Sequence, residues 1–169
     1  MIKIFTDSEL FKLVYGDGGY PNDDTISDRI KFFTYNDLHR NDFYGHIWIV
    51  KFFRNKIIGI IRLFKDQYKY SVYPGYKSGE IYTVSYFSID PKHQGKGYAT
   101  DMARVMFSYV KENSIPLRMT GYTTIGYKVL KPLLKRLCPD GVDFVDDKEI
   151  EYPDYEKTSS VFGRLAQSG

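Results

Sequence analysis

Two glycines flank a lysine in the stretch Ile89–Thr100, IDPKHQGKGYAT, between alternating strand residues and the first turn of an amphipathic helix. Such a turn suits an anion. A helix start leaves its first N–H groups unpaired and partly positive, so it draws a phosphate wherever side chains do not block the approach. Gly95 and Gly97 clear the turn, Ala99 keeps the next outward position small, and Lys96 adds a cation, so the backbone here can cradle an anion such as a pyrophosphate, and the physics alone does not say which. Two familiar phosphate motifs fail here. A P-loop needs Ser or Thr after its Gly-Lys, but Lys96 is followed by Gly97. A dinucleotide fingerprint needs a third glycine where Thr100 stands, and crossovers where this chain has a hairpin series.

Other residues able to do chemistry are scattered. Glu80 is the only acid within its strand before Asp90, and it is a candidate base whose alternative is a solvated strand-end charge. His93 sits in the turn, where contact with solvent or phosphate suits it better than base chemistry. His39 and His46 have no partner spacing, and without a Cys/His cluster no metal is expected. Cys138 is the single cysteine, so no intramolecular disulfide can form, and a buried thiol is expected. Asp17, Asp23 and Asp24 lie together in YGDGGYPNDD, where they can attract a cation, although helix capping explains Asp24 equally well.

The elements that carry these residues follow from periodicity. Met1–Phe5 reads as a strand, and Asp7–Tyr15 as a helix capped by Asp7 or Ser8. A second helix starts at DDTISDRIKFF, with Asp24 or Thr25 as its cap. HIWIVKFFRNKIIGIIRLFKD reads as an antiparallel hairpin turning at Arg54–Lys56, and Gln67–Gly79 as a loop rich in tyrosine (Tyr68, Tyr70, Tyr73, Tyr76). From Glu80 to Asp90 a long strand is expected, with Ile81, Thr83, Ser85, Phe87 and Ile89 on one face and Tyr82, Val84, Tyr86 and Ser88 on the other. A helix from Gly97 to Asn113 follows, with Ala99, Met102, Ala103, Met106 and Val110 as its apolar stripe. PLRMTG is a strand, TTIGYKVLKPLLKRLC a helix that Pro132 should kink or split, and GVDFVDD another strand. The order implies a mixed α/β sheet in one layer with helices packed on it.

Gln94, Gly97 and Ala99 also form the pattern Gln-x-x-Gly-x-Ala. With the Asp-Pro turn before it, the strand upstream and the helix downstream, YFSIDPKHQGKGYATDMARVMF resembles the GNAT superfamily of acyl-CoA-dependent N-acetyltransferases. That resemblance implies one N-acetyltransferase domain over residues 1–169, with 149–169 as a C-terminal extension or last strand. It implies a central, mostly antiparallel mixed sheet splayed at the acyl-CoA site and flanked by about four helices. It further implies that Gln94, Gly95, Lys96, Gly97, Tyr98, Ala99 and Thr100 hold the pyrophosphate of acetyl-CoA. The pantetheine arm would then lie along Phe87, Ser88 and Ile89, with an N–H aimed at the thioester oxygen. Many relatives place a Glu base eleven residues before the Gln; here that position is Thr83. Thr83 and Ser85 are expected to hold a relay water in its place. The acid, often a Tyr in a later helix, falls on Tyr127 by preference and on Tyr122 as its neighbour. The Asn that leads that family pattern is absent.

Bulk composition narrows the function classes. With 169 residues, 43% apolar and 27% charged, the chain has the make-up of one globular domain. The 24 basic residues are interleaved with 21 acidic ones, so no nucleic-acid surface is expected. No run approaches the roughly 20 apolar residues of a membrane helix, and no signal peptide is evident, so a soluble, cytoplasmic protein is expected, monomeric or homodimeric. The expected partner is an amine-bearing acceptor, small molecule or protein. A catalytically idle relative that binds coenzyme A or a protein is the competing reading, and a nucleic-acid module is the third.

Overall fold

The computed structural model describes residues 1–16, 24–39, 45–65, 75–77, 79–147 and 150–152. β-branched and aromatic residues dominate β2 (Ile47–Phe53) and β3 (Lys56–Lys65), which pair antiparallel around Arg54 and Asn55, both left-handed. That conformation matches the twist of a tight hairpin. β1 (Ile2–Thr6) pairs antiparallel with β2 and forms one edge of the sheet. On the other side β4 (Tyr82–Ile89) runs antiparallel to β3, β5 (Leu117–Met119) runs parallel to β4, and β7 (Phe144–Val145) parallel to β5. The sheet order is β1-β2-β3-β4-β5-β7. The single layer expected is supplemented by a second small sheet, β6 (Tyr122–Thr123) with β8 (Ile150–Tyr152).

Helices cover both faces, which is why β3 is buried almost from end to end and reads as a continuous apolar run. On one face α3 (Tyr98–Glu112) and α4 (Thr124–Leu137) close a core that includes Ile61, Val84, Phe87, Met102, Met106 and Leu130. On the other, α1 (Asp7–Tyr15) and α2 (Asp28–His39) close a core of Leu10, Val14, Ile30, Trp48, Val50 and Ile60. The apolar stripe expected on α3 is its buried face. No described helix is long and apolar enough to cross a membrane.

Local details depart from the sequence reading. Thr6, not Asp7 or Ser8, caps α1: its hydroxyl accepts from the Glu9 amide while Glu9 returns a bond to the Thr6 amide. Ser27, not Asp24 or Thr25, caps α2, accepting from the Ile30 amide at 3.4 Å, because the Thr25 carbonyl is engaged by Ile57 of β3. Pro132 does not split α4, for Pro132 and Lys128, whose carbonyl loses its partner, both lie on the exposed side. The alternation expected along β4 breaks at Ser85. Arg62 pairs with Tyr86 and Leu63 with Val84, so Ser85 is an inserted bulge residue, and Val84 joins Phe87 and Ile89 in one core. Thr83 therefore lies opposite to the face expected for it. Cys138 is half-buried at the end of α4, where burial raises its thiol pKa, with Asp140 adding to the effect.

Candidate functional site

The glycine turn is built by its flanks. Asp90 ends β4 by donating its amide to the Ile58 carbonyl at 2.7 Å, and its carboxylate accepts from the Lys92 amide, starting a short 3-10 turn at Pro91–His93. Gln94 then folds its side chain back, Nε2 donating to the Ile89 carbonyl at 2.9 Å. Its role is to fasten the turn to the strand. Gly95 (φ 75°) and Gly97 (φ 82°) are both left-handed, and a Cβ at either would meet no protein atom within 4 Å. The space before the helix is open. Gly97 caps α3 with no side-chain hydrogen bond, so the helix presents its first amides without competition from a cap. Lys96 is exposed beside them. Ala99, expected both to keep the turn small and to belong to the apolar stripe of α3, is buried in the core, where its small size lets the first turn of α3 lie close to the sheet. Tyr98 is half-buried under the Lys51 ammonium, 4.6 Å from the ring centre, and His93 packs against Phe53 and Tyr98.

Among the described residues the strand leading to this turn has no strand partner on one side beyond Val84. Pairing of β4 with β5 ends at Val84↔Met119, and Ser85–Ile89 have no β5 partner. The Asp90–Ile58 bond sets the phase of the β3–β4 ladder, so Ser88 and Tyr86 turn their backbone groups to β3 while Phe87 and Ile89 turn theirs toward the gap. Ser88 also buries its hydroxyl completely, so it offers nothing to the gap. Phe87 and Ile89 lie two residues apart on this edge, which runs into the glycine turn with the Ile89 carbonyl already taken by Gln94.

Around the mouth of the gap the hydroxyls are already engaged. Thr83 Oγ1 accepts from Arg118 Nε at 2.7 Å, one pair before the strands part. Ser85 Oγ accepts from Arg62 Nε at 2.8 Å and donates to the Arg62 carbonyl at 3.2 Å. Arg62 is buried among the rings of Trp48, Phe64 and Tyr86, the last only 4.4 Å from its guanidinium carbon. Glu80 is exposed and closes its own turn, accepting from the Lys77 amide. Tyr127 lies in the first turn of α4, the helix that follows β5, edge-on to Tyr122 and beneath the Lys131 ammonium. Tyr122 is fully buried, donates to Asp146 at 2.8 Å, and has its pKa pushed far up by burial and by that carboxylate, so its proton is not offered to a leaving group.

One buried polar cluster escaped the sequence reading. Asp7 accepts from the His46 amide and Nδ1, each at 3.1 Å, and from Trp48 Nε1 at 2.7 Å. His46 thus has a partner after all, 39 positions away in the chain, a separation that spacing rules do not search. Burial would raise the Asp7 carboxyl, but the bonds from His46 and Trp48 outweigh it and hold the group below the usual carboxylate range. Arg62 had a visible signal, a lone cation inside the apolar run IIGIIRLF. Among the described residues no cluster of His, Cys, Asp and Glu could hold a metal. Asp24 is exposed; Asp17, Asp23, Tyr68, Tyr70, Tyr73, the His39 side chain and residues 153–169 lie outside what is described.

A parallel strand pair that parts beside a glycine-rich strand-to-helix turn is the arrangement at which the sheet and α3 meet. The sequence model of the acetyltransferase (GNAT) family matches residues 10–124, and the chain belongs to that family. No curated protein matches the sequence. Among solved structures, the aminoglycoside 6'-N-acetyltransferase AAC(6')-IG from Acinetobacter haemolyticus is 10% identical with a TM-score of 0.49, over 92% of this chain and 98% of that one. The aminoglycoside acetyltransferase meta-AAC0020 from an uncultured soil metagenomic sample is 13% identical, over 82% and 87% of the two chains, TM-score 0.47. A predicted acetyltransferase from Clostridium acetobutylicum, solved with acetyl-CoA, is 18% identical, over 92% and 98%, TM-score 0.46.

Proposed function

We propose that the protein is an N-acetyltransferase that moves an acetyl group from acetyl-CoA to a primary amine by direct attack. The observation that carries this reading is the parting of β4 from β5 beyond Val84, which leaves the backbone of Phe87 and the Ile89 amide facing the gap that leads to the uncapped start of α3 at Gly97. The diphosphate of acetyl-CoA rests on the amides of Gly95–Thr100 with Lys96 beside it, and the pantetheine arm fills the place of the missing strand. The Phe87 amide polarises the thioester carbonyl. The neutral amine attacks that carbon, the C–S bond breaks, and the nitrogen gives up a proton as the thiolate gains one. A free alkylamine has a pKa of roughly 10.4, so proton removal is a large part of the task. No carboxylate stands at Thr83; its hydroxyl, accepting from Arg118, keeps its own proton for a bridging water, and Tyr127 protonates the leaving sulfur.

Isothermal calorimetry with acetyl-CoA tests the binding step. Wild type is expected to bind, and Gly97→Asp to bind at least about tenfold more weakly, because the new carboxylate repels the diphosphate while Asp tolerates the left-handed backbone. No heat from wild type, or equal affinity in the variant, overturns the reading. The engaged hydroxyls of Thr83 and Ser85 favour one rival, an idle binder of coenzyme A. Release of thiol from acetyl-CoA in the presence of lysine peptides, polyamines or aminoglycosides separates the two.

A further inference from the structure

We propose that the outer edge of β1 pairs with the same edge of a second copy of this chain, joining two six-stranded sheets into one around a two-fold axis at Ile4. The phase of β1 is set by the Phe52 amide, which donates to the Met1 carbonyl at 2.8 Å. In an antiparallel ladder this commits the backbone of Met1, Lys3 and Phe5 to β2 and turns that of Ile2, Ile4 and Thr6 outward. Among the described residues nothing pairs with that edge. Its defences are few, for β1 has no proline and no bulge, the Lys3 side chain points to the face opposite Ile4, and the Glu9 carboxylate engages only the last outward amide, that of Thr6.

Ile4 is 37% exposed and borders an open groove against α3, lined also by Arg104, Ser108 and Glu112. The groove is self-complementary in charge. Arg104 and Glu112 sit four residues to either side of Ser108, and neither has an ion-pair partner among the described residues. A two-fold axis that places Ile4 opposite its copy brings the two α3 helices side by side and antiparallel on the same face of the joined sheet. Arg104 of each copy then meets Glu112 of the other, with Ser108 near the axis. In the strand pair, Ile4 exchanges both backbone bonds with its copy, and each Ile2 amide meets the opposing Thr6 carbonyl. Each Thr6 amide is held by Glu9 at 2.9 Å and stays out of the ladder, so each Ile2–Thr6 pair makes one bond and the strand pair makes four in all.

Sedimentation equilibrium and amide hydrogen exchange test the arrangement on the full chain. Wild type is expected at twice the 19.8 kDa chain mass, with a slowly exchanging Ile4 amide. Arg104→Glu and Glu112→Arg each place like charges together twice across the axis and should weaken the dimer by about tenfold or more. The double variant Arg104→Glu/Glu112→Arg restores both pairs and should recover wild-type affinity. Both changed positions are exposed, so the fold is kept in all three variants. A wild-type monomer at about 100 μM, a dimer unmoved by the single changes, a double variant as weak as the singles, or a freely exchanging Ile4 amide in a dimer each overturns the proposal.

Discussion

Asp7 opens α1 as a buried carboxylate, and what stabilises it there is three donors from the start of β2. Its pKa is lower folded than unfolded, so its stabilising contribution is complete above the unfolded value of about 3.9 and is lost as pH falls through the folded one. Asp7→Asn should therefore lower stability at pH 7 by about 1–3 kcal/mol, since the amide cannot accept from all the same donors. It should also flatten the loss of stability below about pH 4; urea unfolding of both proteins at pH 7 and pH 3 measures both effects. Tyr127 is a different kind of residue, held at the head of α4 by ring contacts and half-exposed. If it protonates the leaving sulfur, Tyr127→Phe lowers kcat by about 100-fold while the calorimetric affinity for acetyl-CoA stays unchanged. A packing tyrosine would give the reverse, a loss of thermal stability with kcat kept.

At the scale of elements, α3 and β3 depend on a close approach at Gly59. A Cβ there would stand 3.0 Å from Met102 Sδ and 3.4 Å from both Ile89 Cγ1 and Lys51 Cβ. Gly59→Ala should cost about 1–3 kcal/mol through overpacking, read as a lower urea midpoint with an unchanged m-value. The existence and order of these elements were legible because α3 repeats its apolar residues at helical spacing and β2–β3 are runs of β-branched and aromatic residues around a polar turn. What was not legible is local or long-range. The bulge at Ser85 inserts one residue into β4, and a single strand read alone carries no sign of the register of its neighbour. Its consequence is functional. The inserted residue reverses the facing of Thr83 relative to Phe87 and aims the Ser85 hydroxyl at Arg62. The turn at Gln94–Tyr98 was legible down to its glycines because left-handed backbone leaves a compositional trace. The role of Ala99 was not, for a small residue serves a ligand or a core equally well.

Across the whole molecule, the weak seam is the one the ligand is proposed to fill. β4 meets β3 along its full length but meets β5 over only Tyr82–Val84, so β5, β6 and α4 adjoin the rest of the sheet through few strand bonds. A ligand that bridges β4 and β5 binds the folded chain and not the unfolded one, and it must therefore raise the melting temperature by mass action. At a free concentration of about 100 times Kd the stabilisation is about 2.7 kcal/mol. For a chain of this length each kcal/mol moves the midpoint by about 2–4 °C, so acetyl-CoA should raise it by about 5–10 °C. Because Gly97 is left-handed, Gly97→Asp should lower the unliganded midpoint by a few degrees, about 1 kcal/mol of backbone strain, and at the same ligand concentration its ligand-induced shift should fall to less than half. An equal shift in both proteins would mean that the ligand stabilises the chain from another surface, and the seam between β4 and β5 would then need a different occupant.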